Sequence, residues 1–290
     1  MKLIEPDAAT LDAATAGDLE ALERLLRALQ PGVYNLAVRV LGHRDDAADA
    51  TQEILLKVVT HLGGFRGESA FTTWVFRVAH NHLLTARTRA RESPEVSFDA
   101  LAEKLEVGLD FAATSGAVTD RALTPEEKAA AREVALSCTQ GMLMALDREQ
   151  RLAYVLDLAF GLDSPQAAAV LGVTAAAYRQ RLARARARLS AFTGRTCGLV
   201  NPDARCRCEK QLPVLGHLQR QGTPVMQTVP LRHAAELAEA ERAFDSFVRL
   251  SDAAALLRAH PAYQAPEAML DAIRDVLRAE GYRTSATRVQ

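Results

Sequence analysis

The stretch that decides the fold is Ser164-Pro165-Gln166-Ala167-Ala168-Ala169-Val170-Leu171-Gly172-Val173-Thr174-Ala175-Ala176-Ala177-Tyr178-Arg179-Gln180-Arg181-Leu182-Ala183-Arg184-Ala185-Arg186-Ala187-Arg188. Ala168 is small where two helices would cross closely. Gly172, four residues later, can take the positive φ of a tight turn, and Thr174 is an N-cap for a second helix. That helix carries Arg179, Arg181, Arg184, Arg186 and Arg188 and no acid. A small residue, a glycine, a cap and then a basic helix is the spacing of a helix-turn-helix whose second helix meets phosphates and base edges in the major groove. A solvated Arg-rich helix in an ordinary bundle is the plainer reading, but it requires none of that spacing.

Outward from this motif the pattern stays helical. Thr124-Pro125-Glu126-Glu127 reads as a capped helix start, and the periodicity predicts helices over 125–145, 148–160, 164–171 and 174–192. Leu11 to Leu41 carries a stripe of Leu19, Leu22, Leu25, Leu26 and Leu29, broken by Pro31-Gly32 and resumed from Val33 to Val40. Asp45 or Asp46 is the predicted N-cap of the next helix. Its core stripe is Thr51, Ile54, Leu55, Val58 and Leu62, and its other face is acidic. A glycine-flanked loop, Gly63 to Ser69, leads to a helix predicted from Phe71 to about Glu92, which Ser93-Pro94 closes. Residues 93–124 show weak periodicity and read as an acidic linker. From Thr193 a Cys-containing loop runs to about Pro230, followed by helical pieces at 231–259 and 266–280 that His260-Pro261 interrupts. No strand-like alternation occurs. The expectation is an all-α chain: domains at 11–92 and 125–192, the linker 93–124 between them, and a Cys-containing and helical extension over 193–290.

The net charge is −1, which taken alone argues against a nucleic-acid partner, but the charge is unevenly spread. Arg77 to Arg91 holds four Arg and no acid, and Arg179 to Arg195 holds six Arg and no acid. Two basic segments flank an acidic one, which suits nucleic-acid contact. No His, Cys and carboxylate constellation suggests catalysis, so an enzyme is not expected. The opening residues lack the n-region and h-region of a signal peptide, and no run approaches the roughly 18 apolar residues of a membrane span. The chain reads as cytoplasmic, with no membrane partner, where cysteines are reduced or metal-bound rather than paired.

Taken together these segments resemble the bacterial sigma-70 family, in its short extracytoplasmic-function (ECF) type. Asp45-Asp46-Ala47-Ala48-Asp49-Ala50-Thr51-Gln52-Glu53 is similar to region 2.2. Phe65 through Asn81 is similar to regions 2.3 and 2.4, and Gln166 through Arg188 to region 4.2. The resemblance covers about residues 11–192. Tyr178 departs from it, standing where the family has a smaller aliphatic residue. The stretch beyond Thr193 resembles a subgroup with a Cys-containing C-terminal extension.

The resemblance implies a sigma factor that binds RNA polymerase core through its β′ and β subunits, recognises −35 and −10 promoter elements and assists promoter melting. An anti-sigma or signalling protein is a further possible partner. The alternative is a helix-turn-helix regulator that acts without replacing the sigma subunit; it would need neither the acidic helix nor the aromatic loop. Asp46, Asp49, Gln52, Glu53 and Leu56 are expected to meet the polymerase clamp helices, although a charge run is more often just a solvated face. Exposed ion pairs contribute only about 0–1 kcal/mol each, so several must act together around Leu56. Phe65, Arg66 and Ser69 are expected to hold a base extruded from the −10 duplex, the plainer reading being a connector with Phe65 in the core. Trp74 and Phe76 are expected in the core. Arg77, His80, Leu84, Arg87 and Arg91 follow steps of three and four on one face, with Asn81 beside them. The arginines would neutralise phosphates and Asn81 would reach a base edge. In the second domain the contacts to the −35 element fall to Thr174, Arg179, Arg181, Arg184, Arg186 and Arg188.

No cofactor is required by this reading. Cys138, Cys197, Cys206 and Cys208 are the chain's four cysteines. They leave three readings open: a structural zinc held by four thiolates, a thiol switch, or unliganded thiols. His217 is an alternative fourth ligand to Cys138. The apolar residues of the tail, among them Leu237, Phe244 and Leu256, need a surface to pack on, in this chain or a partner.

Overall fold

The computed structural model describes residues 3–86, 97–115, 122–220, 235–239, 242 and 260–281. Among them every regular element is helical; outside the helices lie isolated β-bridge residues, Cys197 pairing with Cys206. The described residues gather into two compact units. One draws on Met1–Arg89, Val155–Arg179 and Tyr263–Gln290, the other on Ala90–Tyr154 and Gln180–Ala262. The extension over 193–290 was expected to need a surface to pack on, in this chain or a partner. Its described residues belong to both units.

The first unit is built around α2 (Leu19–Leu41), flanked by α1 (Ala8–Thr15), α3 (Arg44–Thr60) and α4 (Phe71–Thr85). Asp18 caps α2 by accepting from the Ala21 N–H at 2.8 Å, and Gly42, at φ 77°, ends it in the left-handed conformation. The sequence predicts a break at Pro31-Gly32, but α2 runs straight through. A proline inside a helix costs about 3 kcal/mol. Here burial on both sides of it, from Leu25 to Leu41, offsets that cost, and the Asn35 amide takes up the Pro31 carbonyl at 2.8 Å. Gly32 lies under Leu3, whose side chain a Cβ would overlap.

The N-cap of α3 is His43, without a side-chain bond, so Asp45 and Asp46 occupy the first turn instead of capping it. Carboxylates there still face the positive end of the helix dipole. The α4 helix is described to Thr85; its expected continuation to Glu92 lies outside the described residues. Its first turn is capped from a distance, since the Glu5 carboxylate accepts from the N–H groups of Phe71 and Thr72.

Three further pieces complete this unit. α8 (Ser164–Leu171) packs on α4, with Phe76 meeting Phe160 edge-to-face at 5.1 Å. Tyr263 is buried on α2: its backbone N–H and C=O both bond the Asn35 side chain, at 2.8 and 2.7 Å. The guanidinium carbons of Arg39 and Arg44 lie 5.3 and 5.1 Å from the centre of its ring. The last described helix, here α11 (Ala268–Ala279), buries Met269, Ile273 and Leu277, spaced by four, against α2 and α3. Arg274 on it bonds Glu23 of α2 at 2.6 Å.

The second unit contains a helix where the sequence suggested a linker. α5 (Phe98–Thr114) buries Leu101, Leu105, Leu109 and Ala112 on one stripe and is capped by Ser97. It packs on α6 (Pro125–Met144), on the turn at Cys208–Gln211 and on α10 (Leu212–Arg220). α6 starts as expected, with Thr124 and Glu127 forming a reciprocal capping box behind Pro125. Its C-terminal carbonyls are taken by buried Arg151, whose guanidinium donates to Leu143 at 2.7 Å, Met144 at 2.8 Å and Leu146 at 2.9 Å. Burial pushes the Arg151 pKa down to about 10, which leaves it charged at neutral pH. Of the loop expected from Thr193 to Pro230, residues 221–230 lie outside the described residues. Within the rest, the helix α9 (Ala175–Thr196) covers the start, and helical turns resume at Cys208.

Candidate nucleic-acid interface

On α3 the apolar stripe decides which acids face out. Ala47, Ala50, Thr51, Ile54, Leu55 and Val58 are buried, while Asp45, Asp49 and Glu53 are exposed, with Gln52 and Leu56 half-buried between them. Asp46 does not belong with the outward acids, because it is only 6% exposed. It stands four and eight residues before Ala50 and Ile54, so helix geometry carries it onto the inner stripe. The outward row is therefore Asp45, Asp49 and Glu53 around Leu56. At its end the Lys57 ammonium donates to the His82 ring at 2.9 Å, and Glu53 lies 3.8 Å from the same nitrogen. Burial and then Lys57 lower the His82 pKa, against the pull of Glu53.

The loop between α3 and α4 starts with a 3-10 turn, Leu62–Gly64, and bends at Gly67, whose φ of 70° favours glycine. Phe65 is half-buried and packs its ring 5.2 Å from Phe71, edge-on, and 5.7 Å from Trp74. The ring is therefore held in a three-membered aromatic cluster. Arg66 is exposed and Ser69 half-buried. Trp74, expected in the core, is half-buried as part of that cluster, whereas Phe76 is buried.

The face of α4 divides as well. Asn81 and Arg77 are exposed, but His80 is buried and shares a 3.2 Å contact with the Asn81 side chain. The Arg77 Nε donates to the Ala169 carbonyl of α8 at 3.2 Å. Arg87 and Arg91 lie outside the described residues. Sequence reasoning missed Glu5, which fixes the start of this helix from 66 residues away and leaves no local signature.

The turn of the helix-turn-helix forms as its spacing predicts. Asp163 and Gln166 make a capping box at the start of α8, Ala168 is buried, and Gly172 closes the helix at φ 64°. Thr174 then caps α9 (Ala175–Thr196) by accepting from the Ala177 N–H at 3.1 Å. Tyr178 is fully buried and is a packing anchor of α9. Along α9 the buried stripe is Tyr178, Leu182, Ala185, Leu189 and Phe192. The arginines sort around it: Arg179, Arg184, Arg186 and Arg188 are exposed and Arg181 is half-buried. Arg181 pairs with Glu149 at 3.0 Å. Arg188 bonds Gln150 at 3.0 Å and lies over the Phe98 ring at 5.1 Å. These two stand seven residues apart on one side of the helix, facing α7 (Arg148–Leu158) and α5, and help to seat α9. Of the predicted −35 contacts, Arg179 and Arg184 are exposed and have no such anchoring bond to acid or ring among the described residues.

All four cysteines line one small cavity of the second unit, together with Leu105, Val134 and Met142. Three come from the loop after α9 and Cys138 from α6. His217, the alternative ligand, stacks on Phe111 at 4.8 Å instead. Burial raises the pKa of every one of these thiols, and at Cys197 and Cys206 it outweighs the lowering by Arg207. Arg205 pairs instead with Glu106 at 3.1 Å.

Among the described residues no helix is long and apolar enough to cross a membrane. Residues 25–93 match the family model for sigma-70 region 2, and residues 136–189 the model for sigma-70, region 4. The RNA polymerase sigma-H factor of Pseudomonas aeruginosa is 30% identical over 186 residues, 63% of this chain and 91% of that protein. The ECF RNA polymerase sigma factor SigM of Mycobacterium tuberculosis is 30% identical over 188 residues, 65% of this chain and 85% of that protein. The ECF RNA polymerase sigma-E factor of Escherichia coli K12 is 29% identical over 185 residues, 62% of this chain and 90% of that protein. With both family regions matched in order, and relatives 30% identical that the chain covers over 91% and 85% of their length, the chain belongs to the sigma-70 family of RNA polymerase sigma factors, in its ECF branch.

Proposed function

We propose that this sigma factor docks on RNA polymerase core through the outward row of α3, with Asp45, Asp49 and Glu53 set around Leu56. It engages the −10 element through the loop and α4, and it reads the −35 element with α9. One observation carries the reading: α3 presents three carboxylates around one half-buried leucine on the face opposite its core stripe. A fold alone does not require that arrangement. It suits a basic, partly apolar partner, such as the clamp of the polymerase large subunits.

On the DNA side, Arg179 and Arg184 would contact phosphates or bases, with Thr174 at the helix start beside the backbone. Arg66 and Asn81 are the exposed polar groups of the loop and of α4. Arg77 reaches DNA only by exchanging its bond to the Ala169 carbonyl. The polymerase supplies the chemistry, and this subunit supplies promoter choice.

The test is run-off transcription with purified core polymerase on a template bearing the chain's own upstream region. Wild-type chain should start transcripts at a defined site. The double reversal Asp49→Lys with Glu53→Lys should lose core binding in a pull-down while it keeps duplex binding. Wild-type protein that binds duplex but never lets core polymerase initiate would return the chain to the class of stand-alone regulators.

A further inference from the structure

The cavity beneath α6 and the loop after α9 is lined by every cysteine of the chain, brought together from positions 59 to 70 residues apart for the Cys138 pairings. Its free volume is about 20 Å³, the room of a single water-sized particle. The loop is built to hold its sulfurs there. Cys197 and Cys206 sit across a parallel β-bridge, with the Gly198 N–H donating to the Cys206 carbonyl at 2.9 Å. Gly198 is obligatory, because a Cβ would overlap the Arg207 guanidinium and the Cys206 carbonyl. That guanidinium donates to the carbonyls of Pro202, Ala204 and Cys206 and holds the loop closed. Gln211 ties the far side down, bonding the Leu105 carbonyl at 2.9 Å and reaching the Cys206 sulfur at 3.6 Å. Gly108 on α5 is what lets Gln211 in.

We infer that Cys138, Cys197, Cys206 and Cys208 form a four-thiolate site for one zinc ion, which fastens α6 to the end of α9. Four sulfurs around room for one ion suit tetrahedral zinc. Among the described residues no group of three or more His, Cys, Asp or Glu, these cysteines included, is placed as it stands to hold a metal ion. The sulfurs must therefore close on the ion, and rotation about χ1 moves each of them without moving the backbone. Zinc binding is not a redox step. Four S–H bonds release four protons to solvent, zinc sheds its waters, and four Zn–S bonds of about 2.3 Å form. The product carries a local charge of −2, and the Arg207 guanidinium beside Cys197 and Cys206 offsets part of it. The inference rests on the packing of the second unit alone, independently of promoter recognition.

The test uses the full chain, purified under reducing conditions without added metal. Elemental analysis should give one zinc per chain. Exchange with cobalt(II) should produce the intense visible bands of tetrahedral thiolate coordination. Titration with a mercurial should release zinc in step with four thiols. Cys208→Ser and Cys138→Ser should each lose the cobalt spectrum; should either misfold, the metal content and thiol titration of wild-type chain still decide. Substoichiometric zinc with four freely titrating thiols overturns the inference. So does a disulfide found by mass after alkylation without reductant, or iron with inorganic sulfide.

Discussion

Asn35→Leu perturbs a single buried side chain on which the C-terminal segment depends. Asn35 is fully buried, and its amide donates to the carbonyls of Pro31 and Tyr263 at 2.8 and 2.7 Å. Its oxygen accepts from the Tyr263 N–H and from Arg39, both at 2.8 Å. Leucine has a similar volume and none of these bonds. The substitution takes the Asn35 bonds from the Tyr263 N–H and C=O in a site where Tyr263 is only 2% exposed. Each buried bond lost in this way costs about 1–3 kcal/mol, and the added apolar surface returns about 1 kcal/mol. Arg39 keeps a 3.2 Å bond to the Asn35 carbonyl, which limits the loss there. The net cost is about 3 kcal/mol, roughly a hundredfold in the folding equilibrium. For a chain of this size that is a fall of about 6–12 °C in Tm. Urea unfolding followed by far-ultraviolet circular dichroism measures it, and limited proteolysis should show new cleavage between residues 260 and 281. A loss below about 1 kcal/mol, with that segment still protected, would show that Tyr263 is not anchored as described. The same anchoring predicts that a truncation before Tyr263 injures the region 2 fold itself.

Arg151→Met should cost about 3 kcal/mol in urea unfolding, since it strips three carbonyls at the end of α6 of a charged donor; stability unchanged within error would refute that capping role. The His82 pKa lies below the usual 6.5, so its neutral form contributes stability above pH 6.5 that is lost as pH falls through the lower folded value. A nuclear magnetic resonance titration should place the His82 midpoint below 6.5, and a midpoint above 6.5 would reverse the assignment. Thr174→Ala should remove about 1 kcal/mol from the start of α9. Arg184→Gln should weaken duplex binding and flatten its dependence on salt; salt slopes equal to wild type would remove Arg184 from the interface. Gly198→Val should prevent closure of the cysteine loop and abolish zinc retention in the purified chain.

The helix-turn-helix was readable because all its determinants are local. A buried small residue, a glycine at φ 64° and a capping hydroxyl fall within seven residues, and each acts on its own turn of backbone. Asp46 was readable too, had its four-residue spacing from Ala50 been weighed above its charge. The helix at Phe98–Thr114 carries an even apolar stripe, but its acids and Gly108 disguised it as a linker. Its glycine is needed for a neighbour 103 residues away, which no local pattern announces.

By itself the sequence determined the all-helical class, the order of the two sigma regions and the residue types of the cysteine group. Those properties follow from periodicity, capping and charge, which a short stretch of backbone expresses alone. Tertiary structure decided the placements that couple distant stretches: Glu5 at the start of α4, Tyr263 between Arg39 and Arg44, Arg77 on the Ala169 carbonyl, and four thiols around one cavity. The physical reason is that a buried polar group must find a partner wherever the packed chain supplies one. Sequence proximity has no bearing on where that is.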